Sequence, residues 1–411
     1  MPQTTVASKA LSPEKARAIR LQVYVLTVVI FLSALAGAYL VAAGALPDQF
    51  DLRLGERVSG LTAPEGYTIR VFAKDLAAPR YLVAHPSEAV LFVGERGSGR
   101  VLALRDENAD FIAEKPVVVA QNLSAPSGLA YYAEEGQEWL YIAQAGSVVR
   151  VLLDASAGYV GGEPEIIIPD LPVGRNLNEE ESNLYALLIH AGELYVSINA
   201  SCLACTESDA RRGTVMVYAL DGSNERVFAR GLYQTLALAV NPITGQVWAG
   251  VQGRPQMPED APESLYALQN GDDAGFPRCV AGEMVAPEFE ATTCEGVLSP
   301  LLTFAPQGNV SGLLFYAPAP DQLEALVTLH GGVNKEEVQV GLGVLRFPLE
   351  ASTGQPQTSK PQGFLSGFWR SEEPGDHIGR PFMLAQGADG ALYLSDDASG
   401  AVYQLRRDDS N

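Results

Sequence analysis

The stretch Gly379–Leu405, GRPFMLAQGADGALYLSDDASGAVYQL, decides the fold. An apolar run from Pro381 to Ala385 leads into a turn with Asp389-Gly390 at its tip. A β-rich run, Ala391 to Ser395, comes next, then a turn around Gly400 and a strand through Val402, Tyr403, Gln404 and Leu405. Asp-Gly between apolar runs is a strong hairpin signal, because glycine accepts the positive φ that a tight turn needs. A sheet of three or four such strands cannot bury both faces alone, so the chain must supply neighbours of the same kind.

Those neighbours recur along the whole chain. Leu91–Gly94, Leu140–Ala143, Leu194–Ser197 and Val247–Gly250 repeat the Leu392–Ser395 strand, and Ala325–Thr328 is a looser copy. Third-strand partners follow at Arg100–Leu104, Val148–Leu152, Val215–Tyr218 and Gly343–Phe347. Copies stand about 50 to 80 residues apart, long for a propeller blade but compatible with loop insertions. Six copies around a ring predict an all-β, six-bladed β-propeller over residues 67–408. A β-sandwich with irregular loops is the alternative.

A chain of 411 residues, 47% hydrophobic, with 40 Gly and 26 Pro, has material for a large core and many turns. Its net charge of −21 argues against a nucleic-acid partner, whose phosphates demand a basic face.

The other strong signal is N-terminal. Val23 to Leu46 is uncharged and almost wholly apolar, long enough to cross a hydrocarbon core of about 30 Å. Lys9, Lys15, Arg17 and Arg20 precede it, against Glu14 alone. Positive charge stays on the cytoplasmic side, so the sequence predicts a cytoplasmic tail over 1–22 and a single transmembrane helix over 23–46. A linker over 47–66 then leads to an extracytoplasmic, periplasmic or extracellular propeller. A cleaved signal peptide is the rival reading, with Ala42-Ala43-Gly44 as its small residues, but the apolar segment is long for one. Ala34, Gly37 and Ala38 offer a small-residue face to other helices of a membrane complex.

Four cysteines suit an oxidising compartment. Cys202 and Cys205 share the loop string SCLAC, and Cys279 and Cys294 bracket a loop whose closure is worth roughly 3 kcal/mol. Two structural disulfides, 202–205 and 279–294, are the expected pairing. A zinc site is the alternative, disfavoured because the second pair lacks knuckle spacing and the four histidines are scattered. A redox-active CxxC usually opens a helix, whereas this one lies between strands. The acidic run Glu179-Glu180-Glu181 has calcium-type oxygens but reads as a solvated loop. N-x-Ser sequons start at Asn122, Asn199 and Asn309.

Taken in order, PEGYTIRVFAKDL from Pro64, LFVGERGSGRVLAL from Leu91 and LYVSINASCLAC from Leu194 resemble one family. RVFARGL from Arg226, NPITGQVWAGV from Asn241, GDDAGFPRC from Gly271, LHGGVNK from Leu329 and the Gly379 repeat extend the match. It is the glucose and sorbosone dehydrogenases that use pyrroloquinoline quinone (PQQ), especially the sorbosone-type branch, which are six-bladed propellers. The resemblance implies PQQ and calcium as cofactors, a sugar ligand, and a catalytic histidine shortly before the LYVS strand. That histidine takes the hydroxyl proton as hydride moves to the quinone.

Residue by residue, the carry-over frays. The histidine's place reads Glu181-Ser182-Asn183-Leu184-Tyr185, with His190 nearby as a displaced base. The family's Arg-Asn-Pro after GL reads Tyr233-Gln234-Thr235, and a further histidine position reads Gln307. Three carboxylates on PQQ need cations, and neither Tyr nor Gln can fork onto a carboxylate as Arg does. Arg96, Arg254, His330 and Arg380 survive as a vestigial cofactor-binding set; each also reads as a structural residue at a strand end. Asp396-Asp397 reads as a turn pair bonding backbone amides. The expectation is a non-catalytic accessory or interaction subunit of a membrane complex, without bound cofactor. A PQQ-dependent sugar dehydrogenase feeding a membrane electron chain is the second reading.

Overall fold

The computed structural model describes Val58 and residues 60–173, 183–257, 259–289, 293–333, 339–371, 373 and 375–408. The predicted transmembrane segment 23–46 and the acidic run 179–181 lie outside these residues. Among the described residues no helix is long and apolar enough to cross a membrane.

Among these residues, six sheets of four or five strands, antiparallel except for one short parallel pair between Arg226–Arg230 and Asp272–Asp273, account for nearly all the regular structure. Numbered by the repeats above, blade 1 runs from its first strand Pro79–Ala84 through Val90–Glu95 and Arg100–Arg105 to Val117–Ala120. Blade 2 begins at Leu129–Glu134, blade 3 at Leu187–His190, blade 4 at Thr235–Val240 and blade 5 at Val310–Tyr316. Blade 6 comprises Pro381–Gln386, Leu392–Asp396 and Ala401–Arg407, and takes its outermost strand, Tyr67–Ala73, from the other end of the propeller sequence. Tyr67 pairs with Arg407 and Ile69 with Leu405, so the first strand closes the last blade. First strands of neighbouring blades touch all the way round, which is the six-bladed ring. The looser fifth copy is a full strand, Leu323–Leu329, buried at every position.

Second strands such as Val90–Glu95 and Leu392–Asp396 are also buried throughout, because each blade is covered on both faces by its neighbours. Of the predicted linker 47–66, the described residues Val58 and 60–66 include a segment that packs on the propeller. Thr62 bridges to Ser366, and Leu61 and Ala63 pack against the core shared by blades 5 and 6.

Register defines two ends of the ring. The start of each first strand lies opposite the end of the second: Pro79 pairs with Glu95, Thr235 with Val251, Val310 with Leu329 and Pro381 with Asp396. At this end, polar side chains tie each blade to the next. Asn199 Oδ1 accepts from Thr235 N at 2.8 Å, and Ser311 Oγ donates to Phe382 O at 2.6 Å. Glu263 Oε2 accepts from Val310 N at 2.8 Å, and Ser395 Oγ donates to Arg80 O.

Candidate functional site

At that same end, blades 5, 6 and 1 bring four ionisable side chains together. Arg80 enters from the start of blade 1's first strand and Arg380 from the residue before blade 6's. His330 follows blade 5's second strand, and Asp397 follows blade 6's. Arg80 Nε donates to Asp397 Oδ2 at 2.7 Å. His330 Nε2 lies 3.1 Å from both oxygens of Asp397, and Arg380 Nη2 lies 2.9 Å from His330 Nδ1. Phe382 forms the floor: its ring meets the imidazole edge-on at 5.1 Å and carries the Arg80 guanidinium at 5.1 Å.

This arrangement sets the tautomer. A guanidinium can only donate, so Nδ1 of His330 accepts and the ring proton sits on Nε2, facing Asp397. Burial pushes the His330 pKa below its ordinary value and Arg380 adds to this, outweighing the opposing pull of Asp397. Burial pushes Asp397 the other way, but His330, Arg80 and Arg380 together hold it well below the usual carboxylate range. At neutral pH the group is therefore two arginines, one carboxylate and a neutral imidazole.

Local sequence explains how Arg380 is placed. Asp396 Oδ1 accepts from the N–H groups of Arg380, Ala398 and Ser399 at 2.8, 3.1 and 2.9 Å. A Cβ on Gly379 would lie 1.8 Å from Asp396 Oδ2, so only glycine permits this approach. Asp396 thus does what its turn position predicts. Asp397 does not: it serves as the ionic partner of Arg80 and His330, because the turn aims its side chain across the blade junction. Arg80 is a member the sequence reading missed. No repeat position marked it, since Arg80 follows Pro79 whereas Arg380 precedes the equivalent Pro381.

Of the four surviving positions, His330 and Arg380 are in direct contact. Arg96 Nη1 reaches Ala125 O at 3.4 Å, at the approach to blade 2. Arg254 is 1% exposed in the blade 4 loop; its Nη2 donates to Glu288 Oε1 at 2.6 Å, holding that carboxyl below its usual range. Arg254 Nε and Nη1 have no hydrogen-bond partner among the described residues. His190 is excluded as a displaced base for this cluster, because it ends blade 3's first strand and so lies at the opposite end of the ring. Tyr233, Gln234 and Thr235 are buried where the family's Arg-Asn-Pro would stand, with Tyr233 against the Phe276 ring at 5.2 Å.

Both predicted disulfides, Cys202–Cys205 and Cys279–Cys294, are formed. Asn199 and Asn309 are fixed by side-chain bonds to Leu184 O and Gly331 O, which leaves Asn122 as the exposed sequon.

No protein-family model matches this chain, and no curated protein does. Solved structures do. The calcium structure of the Trichoderma reesei Carbohydrate-Active Enzymes family AA12 protein is 18% identical, covers 86% of this chain and 99% of its own, and superposes with a TM-score of 0.71. The holo PQQ domain of Coprinopsis cinerea pyranose dehydrogenase is 16% identical over 86% of this chain and 98% of that one, with a TM-score of 0.68. The PQQ-bound aldose sugar dehydrogenase of Streptomyces coelicolor is 18% identical over 84% of this chain and 99% of its own, with a TM-score of 0.56. The fold is that of the PQQ-dependent sugar dehydrogenase propellers.

Two of these neighbours, the pyranose dehydrogenase domain and the aldose sugar dehydrogenase, are PQQ forms. The cations of the cluster face an internal carboxylate and imidazole, and the polar fork expected from blade 4 is a buried Tyr-Gln pair. Arg254 Nε and Nη1, buried and without a hydrogen-bond partner among the described residues, are donors of the kind a carboxylate takes.

Proposed function

We propose that the chain is a membrane-anchored, extracytoplasmic propeller of the sugar dehydrogenase type that does not oxidise sugar. It serves as an accessory or interaction subunit of a membrane complex. The observation that carries this reading is the state of His330: both ring nitrogens are engaged, and its one lone pair faces a guanidinium. The place where the resemblance puts its base, Glu181–Tyr185, holds no histidine, and His330 cannot stand in because a general base needs that lone pair; losing a base costs about 10²- to 10⁴-fold in rate. The apolar segment 23–46 and the basic residues before it support the anchoring.

The test is direct. Purified full-length protein, given PQQ, calcium and a panel of aldoses with an electron-accepting dye, is expected to show no sugar-dependent reduction. Stoichiometric quinone uptake followed by reduction on adding an aldose would overturn the reading. Extraction in mild detergent is expected to bring the chain out with other membrane proteins; a clean monomer counts against the accessory role.

The second reading, a PQQ-dependent sugar dehydrogenase, draws on Arg254, whose free N–H groups suit an anion. It requires that Arg254→Ala abolish quinone uptake.

A further inference from the structure

The loop joining the second and third strands of blade 3, residues 199–213, holds the Cys202–Cys205 disulfide next to a carboxylate. Glu207 is turned inward by Ser201, whose N–H and hydroxyl each donate to it at 2.6 Å. Its Oε1 lies 3.9 Å from Cys202 Sγ, and Cys205 N–H donates to that sulfur at 2.9 Å. Ligand atoms of Cys202, Cys205 and Glu207 all lie within 4.8 Å of one another, and no other group of three His, Cys, Asp or Glu among the described residues does so. The buried Arg212 stands behind them, its Nε 3.9 Å from Glu207 Oε2.

We propose that this loop is a redox-gated site for a zinc-type divalent cation. In the oxidised protein the two sulfurs are bonded to each other and the site is closed. A dithiol donor reduces the bond: two electrons and two protons pass to the sulfurs, giving two thiols, while the donor becomes a disulfide. The cation then displaces both thiol protons to solvent and takes two thiolates and the Glu207 carboxylate, with water as fourth ligand. Two cysteines at C-x-x-C spacing chelate one tetrahedral ion. Thiolate ligands favour zinc-type ions over calcium or magnesium. The Cys205 N–H donor stabilises the Cys202 thiolate, and Arg212, beside Glu207, offsets the excess negative charge of three anionic ligands around a doubly charged ion.

The bridge is suited to opening. A sequence separation of 3 constrains the unfolded chain little, so its loss leaves the blade folded, unlike the separation of 15 closed by Cys279–Cys294. Cys279 is fully buried, whereas the 202–205 loop lies at the surface.

The experiment uses the full chain, reduced with a soluble phosphine until mass mapping shows free thiols at Cys202 and Cys205, then titrated with cobalt(II) without oxygen. Expected are one equivalent of cobalt, thiolate-to-cobalt charge-transfer bands in the near ultraviolet, and their displacement by zinc. Cys202→Ser and Cys205→Ser should each lose the bands, and Glu207→Gln should weaken cobalt binding by about 10-fold or more. Circular dichroism of the Cys202→Ser/Cys205→Ser double variant checks that the fold persists without the bridge. Absence of charge-transfer bands in the reduced, folded protein overturns the site. Unchanged affinity in Glu207→Gln overturns the three-ligand assignment.

Discussion

His330 Nδ1 and Arg380 Nη2 stand 2.9 Å apart, with the imidazole lone pair directed at a group that can only donate. Protonation of His330 would place N–H against N–H. The ring therefore remains neutral, with its proton shared toward Asp397. Nitrogen-15 NMR should show an unprotonated Nδ1 at neutral pH and a titration midpoint below the ordinary histidine value. Because the folded pKa lies below the unfolded value of about 6.5, the stability this histidine contributes is full above that value and falls as acid is added. Arg380→Ala should let His330 titrate at higher pH than in the wild type.

Asp397 is the only carboxylate in contact with both Arg80 and His330 among the described residues. Asp397→Asn leaves a nearly buried guanidinium without its ion pair and is expected to cost about 3–5 kcal/mol in urea unfolding. A loss under about 1 kcal/mol would show the cluster to be as weak as a surface pair.

Glu263 links blades 4 and 5 through backbone N–H groups, with no ion pair to it among the described residues, and burial pushes its carboxyl up to about 7 against the pull of those donors. A raised folded pKa gives stability that is full below the unfolded value of about 4.3 and is lost as pH rises through about 7. Glu263→Gln should remove a loss on the order of 3 kcal/mol across that window. The slope opposes that of His330, so the two are separated by comparing single variants, not by the wild-type profile.

Gly379→Ala would drive a methyl group into Asp396 Oδ2, whose carboxylate orders the turn. Equilibrium unfolding should show a loss of about 1–3 kcal/mol. Arg380 should shift with the turn and let His330 titrate at higher pH.

Removing Cys279–Cys294 should cost about 3 kcal/mol, and removing Cys202–Cys205 clearly less, because the chain entropy restored on reduction grows with the loop closed. Thermal unfolding of the two double-serine variants compares them directly.

Much of the architecture was legible because it is local. Alternation, Asp-Gly turns and the recurring Leu-Tyr strand announce blades whatever their neighbours are, and six of them imply a ring. The disulfide partners were legible too, since both pairs are close in sequence. The ionic cluster was not. Arg80 and Asp397 are separated by 317 positions, and no periodicity links them.

The sequence by itself determined the blade count, the cysteine pairing and the replacement of the expected Arg-Asn pair by Tyr233-Gln234, because each is written in neighbouring residues. Only the tertiary structure decided that His330 and Arg380 face each other, that Asp397 leaves its turn role to join them, and that His190 lies at the far end of the ring. Those outcomes depend on which strand ends meet when the first strand closes the last blade, and ring closure is a property of the whole chain.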